Sequence, residues 1–265
     1  MKIKYLLLIA IFTFAVPTLP AQELINAVKS GDIKQVEKVL SAGNIKEMEK
    51  EKDEDNYNAY HWTAILGFKD IAELLLENGF NPDYLVTDVP SKDLGKGCIL
   101  YAGDIMGAPD AAVLAEVNNN KNLVDFYLKQ GNTDKHLRTA IMCDNLFVAE
   151  KALKAGANPN MTVNMAGERI LVPAIRSSLE SGSDELIDIL VEYGADISEA
   201  FANSFIYGNI DEDGEVWEKM LEKGARIDYE YHDGNYNTTP ISFASKKDRE
   251  KLDFLIQHDA ESSMK

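Results

Sequence analysis

The chain has 265 residues, with 27 lysines and arginines against 44 aspartates and glutamates, for a formal net charge of −17. A surface this acidic repels nucleic-acid phosphates and anionic lipid headgroups, which argues against nucleic acid as a partner. It would attract basic partners, or it would simply keep the protein soluble. The length allows one extended repeat domain or two compact domains.

The first 21 residues have the pattern of a secretory signal peptide. Lys2 and Lys4 precede an apolar run at 5–16, and 17–21 ends in the small residue Ala21, which predicts cleavage before Gln22. The run is shorter than the roughly 20 residues of a membrane span, so an uncleaved anchor is the less favoured alternative. We expect an exported bacterial protein, periplasmic or secreted, with no membrane insertion after cleavage.

Beyond residue 21 one pattern recurs seven times: a short polar turn, an alanine-rich helix, a bend, a leucine-rich helix and usually a glycine. The clearest copies are 58–79 and 239–260. Apolar residues at helical spacing, such as those of 71–75, predict amphipathic helices. The copies end at Gly43, Gly79, Gly131, Gly156, Gly194, Gly224 and Asp259. Because one unit is too small to bury its own apolar face, the units must stack on their neighbours.

The pattern resembles the ankyrin repeat, whose first helix opens with TPLHxA. Residues 239–244 (TPISFA) match with Ser in place of His, and 58–63 match less well but retain the histidine as His61. The second-helix pattern of the family is resembled by 71–79, 148–158 and 186–196. The resemblance implies an all-α ankyrin-repeat solenoid of about seven helix-turn-helix repeats, with β-hairpin-like loops and one larger insertion.

The ankyrin-repeat domain is predicted over 22–265, with a charged, solvated loop at 44–55. Its repeats are expected at approximately 22–43, 56–83, 110–134, 135–160, 171–198, 199–228 and 237–262. The insertion 84–109 contains β-prone runs at 84–89 and 98–102, which predict a hairpin. A shorter finger is expected at 161–170. The loop 229–236 concentrates three tyrosines: Tyr229, Tyr231 and Tyr236.

The resemblance also implies which positions face the concave groove, namely those just after the small residues of each first helix. Repeat by repeat these are Lys29 and Ser30, Ile65 and Leu66, Val117 and Asn118, Met142 and Cys143, Glu180 and Ser181, Ile206 and Tyr207, and Lys246 and Lys247. Six of them are apolar: Ile65, Leu66, Val117, Met142, Ile206 and Tyr207. A contiguous exposed apolar strip would mark a partner site. Our hypothesis is that this strip and the three loop tyrosines bind a protein or peptide, unless 84–109 folds over the strip.

No pattern in the chain predicts catalysis, a cofactor or a metal. There is no nucleophile elbow, phosphate-cradling loop with Lys, CxxC or HExxH, and in the family the histidine at the position of His61 holds the turn. Residues 209–214 resemble the start of a calcium loop, but the twelfth position is Met220 instead of an acid, so a solvated acidic turn is favoured. In an oxidising compartment Cys98 and Cys143 could form one disulfide, the alternative being two packed thiols.

Three classes of function follow from these observations. The first is a monomeric, non-catalytic protein–protein interaction module of the bacterial cell envelope, which binds through its groove and finger loops. The alternative is an inhibitor or immunity protein that neutralises a basic toxin or enzyme. The third, a hydrolase, would need a convergent polar pocket that the sequence does not indicate.

Overall fold

The computed structural model describes the chain over residues 20–83, 110–163 and 167–262. The predicted insertion 84–109 with its β-prone runs, Cys98, and residues 1–19 of the predicted signal peptide lie outside the described residues.

Seven helix pairs make up most of the described part of the chain. The first helices are Pro20–Ser30 (α1), Ala59–Leu66 (α4), Ala111–Val117 (α6), Thr133–Met142 (α8), Leu171–Ser181 (α10), Ile197–Tyr207 (α12) and Pro240–Lys247 (α14). Their second helices are Ile33–Ala42 (α2), Lys69–Glu77 (α5), Val124–Leu128 (α7, after a 3₁₀ turn at Lys121–Leu123), Leu146–Lys154 (α9), Glu185–Glu192 (α11), Ile210–Glu222 (α13) and Arg249–Ser262 (α15). A short helix, Ile45–Met48 (α3), stands between the first two pairs, and the strands Tyr231–His232 (β1) and Asn237–Thr238 (β2) form an antiparallel hairpin before α14.

The pairs stack in chain order. Each first helix packs against the next, from α1 through α4, α6, α8, α10 and α12 to α14, and we call this continuous series the first-helix row. Second helices also contact one another: α2 packs against α5, and α9 packs against α11. The predicted all-α solenoid of helix-turn-helix repeats is therefore confirmed, since every pair buries its apolar face against its neighbours.

Local chemistry explains where these helices begin and end. Asparagine or aspartate caps many of the N-termini; Asp110, for example, accepts hydrogen bonds from the backbone nitrogens of Ala112 and Val113. Such caps satisfy amide groups that have no partner inside the helix. After four second helices a glycine adopts positive φ, between 90° and 97°, where a side chain would be strained. These residues are Gly79, Gly156, Gly194 and Gly224.

The core is one apolar cluster that runs the length of the solenoid, from Leu24 on α1 to Leu255 on α15. A small second cluster consists of Ala202, Ile206 and Tyr231. None of the helices formed by the described residues is both long and apolar enough to cross a membrane.

The predicted solvated loop at 44–55 is in part a folded element. Asn44 caps α3, and Met48 at its end is buried in the core. Further along, the Asp53 side chain is only 3% exposed and accepts hydrogen bonds from Lys29 Nζ at 2.5 Å and Trp62 Nε1 at 2.9 Å. The prediction of a solvated loop was wrong here, because hydrogen bonds from Lys29 and Trp62 compensate the cost of burying the Asp53 carboxylate.

The predicted acidic turn at 209–214 is the start of a helix. Asn209 is the N-cap of α13, and the acidic residues lie in its first turn, where the helix dipole favours them. Asp213 is buried, accepting from the Asn209 backbone nitrogen and the Arg176 guanidinium. Among the described residues no group of three or more histidine, cysteine, aspartate or glutamate side chains could hold a metal ion.

Candidate protein-binding surface

The last residues of successive first helices lie along one edge of the first-helix row. Leu66 ends α4, Val117 ends α6 and Met142 ends α8, and these three helices are consecutive neighbours. Leu66 is 38% exposed and Val117 is 42% exposed. Met142 is half-buried, as is Ile65, which precedes Leu66 on α4. We call Leu66, Val117 and Met142 the apolar patch.

An asparagine from the next unit supports the apolar patch. Asn120 Nδ2 donates to the carbonyl oxygens of Ala64 at 2.9 Å and Ile65 at 3.0 Å, which belong to the last turn of α4. Gly67 ends that helix with φ of 78°, and a Cβ there would lie 2.8 Å from Asn120 Oδ1. These contacts fix the position of Leu66 relative to Val117, since they join the ends of α4 and α6.

The predicted strip is not contiguous. At the end of α10, between Met142 and Tyr207, the row presents Glu180 and Ser181, both exposed. The apolar residues therefore form two separate surfaces: the apolar patch on α4, α6 and α8, and a second surface at the end of α12.

Two residues predicted to contact a partner are buried. Ile206 is 5% exposed and Tyr231 is 3% exposed, because the β1–β2 hairpin folds onto α12 and packs Tyr231 against this helix. The Tyr231 hydroxyl also accepts a hydrogen bond from Asn203 Nδ2 at 2.8 Å. The prediction that these two side chains are available to a partner is thus corrected. On α12 the β1–β2 hairpin covers the apolar surface. The segment predicted to fold over the strip, 84–109, lies outside the described residues.

The hairpin leaves Tyr207 open. This side chain is 46% exposed, and its ring meets that of Tyr236 edge-on, with centroids 5.5 Å apart. Its hydroxyl donates to Asp233 Oδ2, and burial together with this carboxylate raises the pKa of Tyr207. We call Tyr207, Tyr236 and Asp233 the tyrosine patch. Tyr229 is half-buried and packs against the small cluster of Ala202, Ile206 and Tyr231.

The two ends of the row carry lysines in different states. Lys29 on α1 is held by Asp53, with its Nζ 4.1 Å from the centre of the Trp62 ring, so it is already engaged within the chain. Lys246 and Lys247 at the end of α14 are exposed. Ser30 donates a hydrogen bond back to the Ala27 carbonyl.

The histidine of α4, His61, is structural. Asn58 and His61 form a reciprocal capping box: Asn58 Oδ1 accepts from the His61 backbone nitrogen at 3.1 Å, and His61 Nδ1 accepts from the Asn58 backbone nitrogen at 3.4 Å. Burial, and to a lesser extent the charge of Lys135, lowers the pKa of His61 to about 3. The imidazole is therefore neutral near pH 7, as its acceptor role requires.

A second buried histidine was not singled out from the sequence. His136 Nδ1 lies 3.1 Å from Asp110 Oδ2, and both side chains are almost inaccessible to solvent. The contact lacks hydrogen-bond geometry, and these atoms have no hydrogen-bond partner. Because both residues are inside the solenoid, neither can meet a macromolecular partner.

Cys143 follows Met142 as the C-cap of α8 and is 5% exposed. Its predicted partner, Cys98, lies outside the described residues. The disulfide stays a prediction.

Comparison with known proteins shows a similarity in fold to a solved structure. No family model matches the chain, and no curated protein matches it. Among solved structures, the chain is similar to the ankyrin repeat domain of Bcl-3, described as a unique member of the IkappaB protein family. The TM-score is 0.46 and the sequence identity 16%, over 88% of this chain and 97% of that chain. The solenoid architecture itself rests on the stacked helix pairs of this chain.

Proposed function

We propose that this protein is a non-catalytic interaction module that binds a protein or peptide through the apolar patch. The observation that carries the proposal is the exposure of Leu66 and Val117 at equivalent ends of two adjacent first helices. On α1, α10 and α14 the equivalent positions are polar: Ser30, Ser181 and Lys247. Apolar side chains held by a rigid scaffold at neighbouring sites are typical of a protein contact surface.

The physical basis is the burial of apolar surface with little ordering cost. Each square ångström of apolar area removed from water contributes about 25 cal/mol, less the cost of immobilising the partner. The Asn120 contacts with the end of α4 hold the patch in place before binding. Preorganisation of this kind leaves more of the burial energy for affinity.

The experiment begins with a photo-crosslinking amino acid placed at position 66 or 117 of the mature protein, and at 191 as the control. Val191 is 43% exposed but lies on the second helix α11. We expect one protein to be crosslinked from 66 and 117 and not from 191.

Affinity for that crosslinked protein is then measured with matched double variants. Leu66→Asp with Val117→Asp should weaken binding at least about tenfold, as loss of central apolar contacts does. The control is Val191→Asp with Ile256→Asp, both on second helices and 43% and 54% exposed. Equal affinities of the two double variants would refute the apolar patch as the binding surface.

We also propose that the protein acts outside the cytoplasm, in the bacterial envelope or medium. The support is the leader pattern of residues 1–21. Cleavage before Gln22 would spare the first buried residues of α1, Leu24 and Ile25. N-terminal sequencing of the protein from fractionated cells tests this: a chain that begins at Gln22 in the periplasm or medium is expected, and a cytoplasmic chain that retains Met1 contradicts it.

A second candidate function is neutralisation of a basic toxin or enzyme, which the net charge of −17 favours. Charge complementarity of this kind accelerates association and makes it sensitive to salt. If the crosslinked partner is basic and loses its activity on binding, with an association rate that falls steeply as salt is added, the inhibitor function is supported. A partner that stays fully active in the complex excludes it.

A further inference from the structure

Several partly exposed aromatic rings of this protein are covered by one of its own lysines. Lys29 Nζ lies 4.1 Å from the ring centre of Trp62, and Lys69 Nζ lies 5.2 Å from that of Phe126. Phe147 has two such neighbours, Lys121 and Lys151. A cation at this distance from a ring centre is attracted by the negative face of the ring.

Tyr207 departs from this pattern. At 46% it is the most exposed phenylalanine, tyrosine or tryptophan among the described residues, and no lysine or arginine of that part of the chain lies over its ring. Tyr236 packs against it at an interplanar angle of 74°, which forms a corner of two rings. The corner stands at the end of α12, on the same row as the apolar patch.

A carboxylate holds this corner in place. Asp233 Oδ2 accepts from the hydroxyls of Tyr207 and Tyr231, and Oδ1 accepts from the backbone nitrogens of Asn235 and Tyr236, both at 2.9 Å. Burial alone would raise the pKa of Asp233, but the hydrogen bonds from Tyr207, Tyr236, Asn235 and Tyr231 outweigh it and lower the pKa. The group is therefore ionised at neutral pH, and within the described residues it forms no ion pair with a lysine, arginine or histidine.

We propose that the tyrosine patch receives a cationic side chain, preferably an arginine, from the protein partner. This inference rests on the proposed function and adds the chemistry of the partner. Because the four acceptor positions of Asp233 are already filled, the cation would lie over the Tyr207 ring and would be attracted by the carboxylate behind it. Arginine suits the corner because its planar guanidinium stacks on aromatic rings and is weakly hydrated.

The hydrogen bond from Tyr207 to Asp233 would favour binding of the cation in two ways. It orients the ring before binding, which lowers the ordering cost, and its charged acceptor increases electron density on the ring. The exposed Lys246 and Lys247 at the end of the neighbouring α14 would oppose a cation. Their removal should therefore strengthen binding.

The test uses a fluorescein-labelled peptide in which glycine alternates with five arginines, and a twin with citrulline at the same positions. Binding to the mature protein is measured by fluorescence anisotropy in 0.15 M salt. The arginine peptide should bind at least about tenfold more tightly than its neutral twin, in line with charge-dependent attraction. Tyr207→Leu, which keeps an apolar group against Tyr236, should weaken binding about fivefold.

Further variants separate the site from the overall charge. Asp233→Asn should weaken binding, whereas Glu37→Gln, the same charge change on an exposed residue of α2, should leave it within about a factor of two. Lys247→Gln should tighten it. Tyr207→Phe keeps the ring but loses the hydroxyl, so an affinity between those of the wild type and Tyr207→Leu is expected.

Two results would overturn the proposal: wild-type affinity in both Tyr207 variants, or equal weakening by Asp233→Asn and Glu37→Gln. Either would mean that the peptide senses only the net charge. The proposed function is judged separately, because Leu66→Ser with Val117→Ser, which removes the apolar side chains without adding charge, should not change binding of the arginine peptide. The inference can therefore fail while the apolar patch stands.

Discussion

Lys251 Nζ, on the last helix, donates a hydrogen bond of 2.6 Å to the main-chain carbonyl of Phe205 near the end of α12. It also donates to the Gly208 carbonyl at 2.9 Å, and it lies 5.3–5.5 Å from the ring centres of Phe205, Trp217 and Phe243. The side chain thus supplies donors to carbonyls that a helix leaves without internal partners. In this way the last unit is attached to the one before it by a buried lysine inside an aromatic shell.

Replacing this lysine should destabilise the protein. Lys251→Met keeps the apolar volume but leaves the Phe205 and Gly208 carbonyls without their donor, at a cost of about 2 kcal/mol in the free energy of unfolding. Burial lowers the pKa of Lys251, so loss of the charge offsets part of that cost. Lys247→Met, on an exposed lysine, should change little. Denaturant unfolding of both variants gives the comparison, and a Lys251→Met protein as stable as the wild type would show that the carbonyl contacts contribute nothing net.

His61 should make stability depend on pH. Its pKa is about 3 in the folded protein and near 6.5 when unfolded, so between these values the unfolded chain binds more protons and stability falls as the pH is lowered. At pH 4.5 the loss relative to pH 7 is about 3 kcal/mol from this residue.

The control for the pH effect is His61→Gln. Glutamine at this position can still accept from the Asn58 backbone nitrogen, as in other capping boxes, but it does not titrate. Unfolding free energies measured from pH 7 to 4.5 should fall more steeply for the wild type than for His61→Gln. Parallel curves would contradict a buried neutral imidazole.

Asn120 joins two units through the end of α4, so its loss should cost more than that of an ordinary surface asparagine. Asn120→Ala leaves the Ala64 and Ile65 carbonyls without their donor, and we expect a loss of about 1–2 kcal/mol. Asn118→Ala is the matched control, because Asn118 bonds only to Leu114 of its own helix. Thermal unfolding of the two variants should differ by several degrees. Identical melting temperatures of the two variants would contradict a role for Asn120 in joining the two units.

Asp53 should tolerate no neutral replacement, although it lies in a charged loop. In Asp53→Asn the Oδ1 atom can still accept from the backbone nitrogens of Asp55 and Tyr57. The new amide group, however, would point a donor at the donors of Lys29 and Trp62, at a cost of about 1.5–3 kcal/mol. Glu54→Gln, one residue further on and exposed, should be neutral. Urea unfolding checks both, and equal midpoints would contradict the structural role of Asp53.

The two cysteines should be bridged in the exported protein. Alkylation with iodoacetamide after unfolding, without and with prior reduction, distinguishes the possibilities by mass. We expect no label before reduction and two labels after it, since Cys98 and Cys143 are the only cysteines. Two labels without reduction would mean two packed thiols.

The helix pairs could be predicted because their signals are local. Alternating turn residues, apolar spacing and terminating glycines define each helix within about 20 residues, as 58–79 illustrates. Groove positions could be placed in register for the same reason: Leu66, Val117, Met142 and Tyr207 each end a first helix. The sequence by itself thus determined an all-α repeat architecture and the edge of the first-helix row on which the proposed partner surface lies.

Exposure was decided by the tertiary structure. Ile206 and Tyr207 are adjacent in the chain, yet the first is 5% and the second 46% exposed. The hairpin, more than 20 residues away, covers Ile206 with Tyr231 but contacts Tyr207 only on one side, through Tyr236 and Asp233. Asp53 and Lys251 are charged residues that became buried only because donors or acceptors from other units reach them. Such contacts join residues far apart in sequence, so no local pattern encodes them. Contacts of this kind bury Ile206 and leave Tyr207 exposed, so they determine which residues of the second surface a partner can reach.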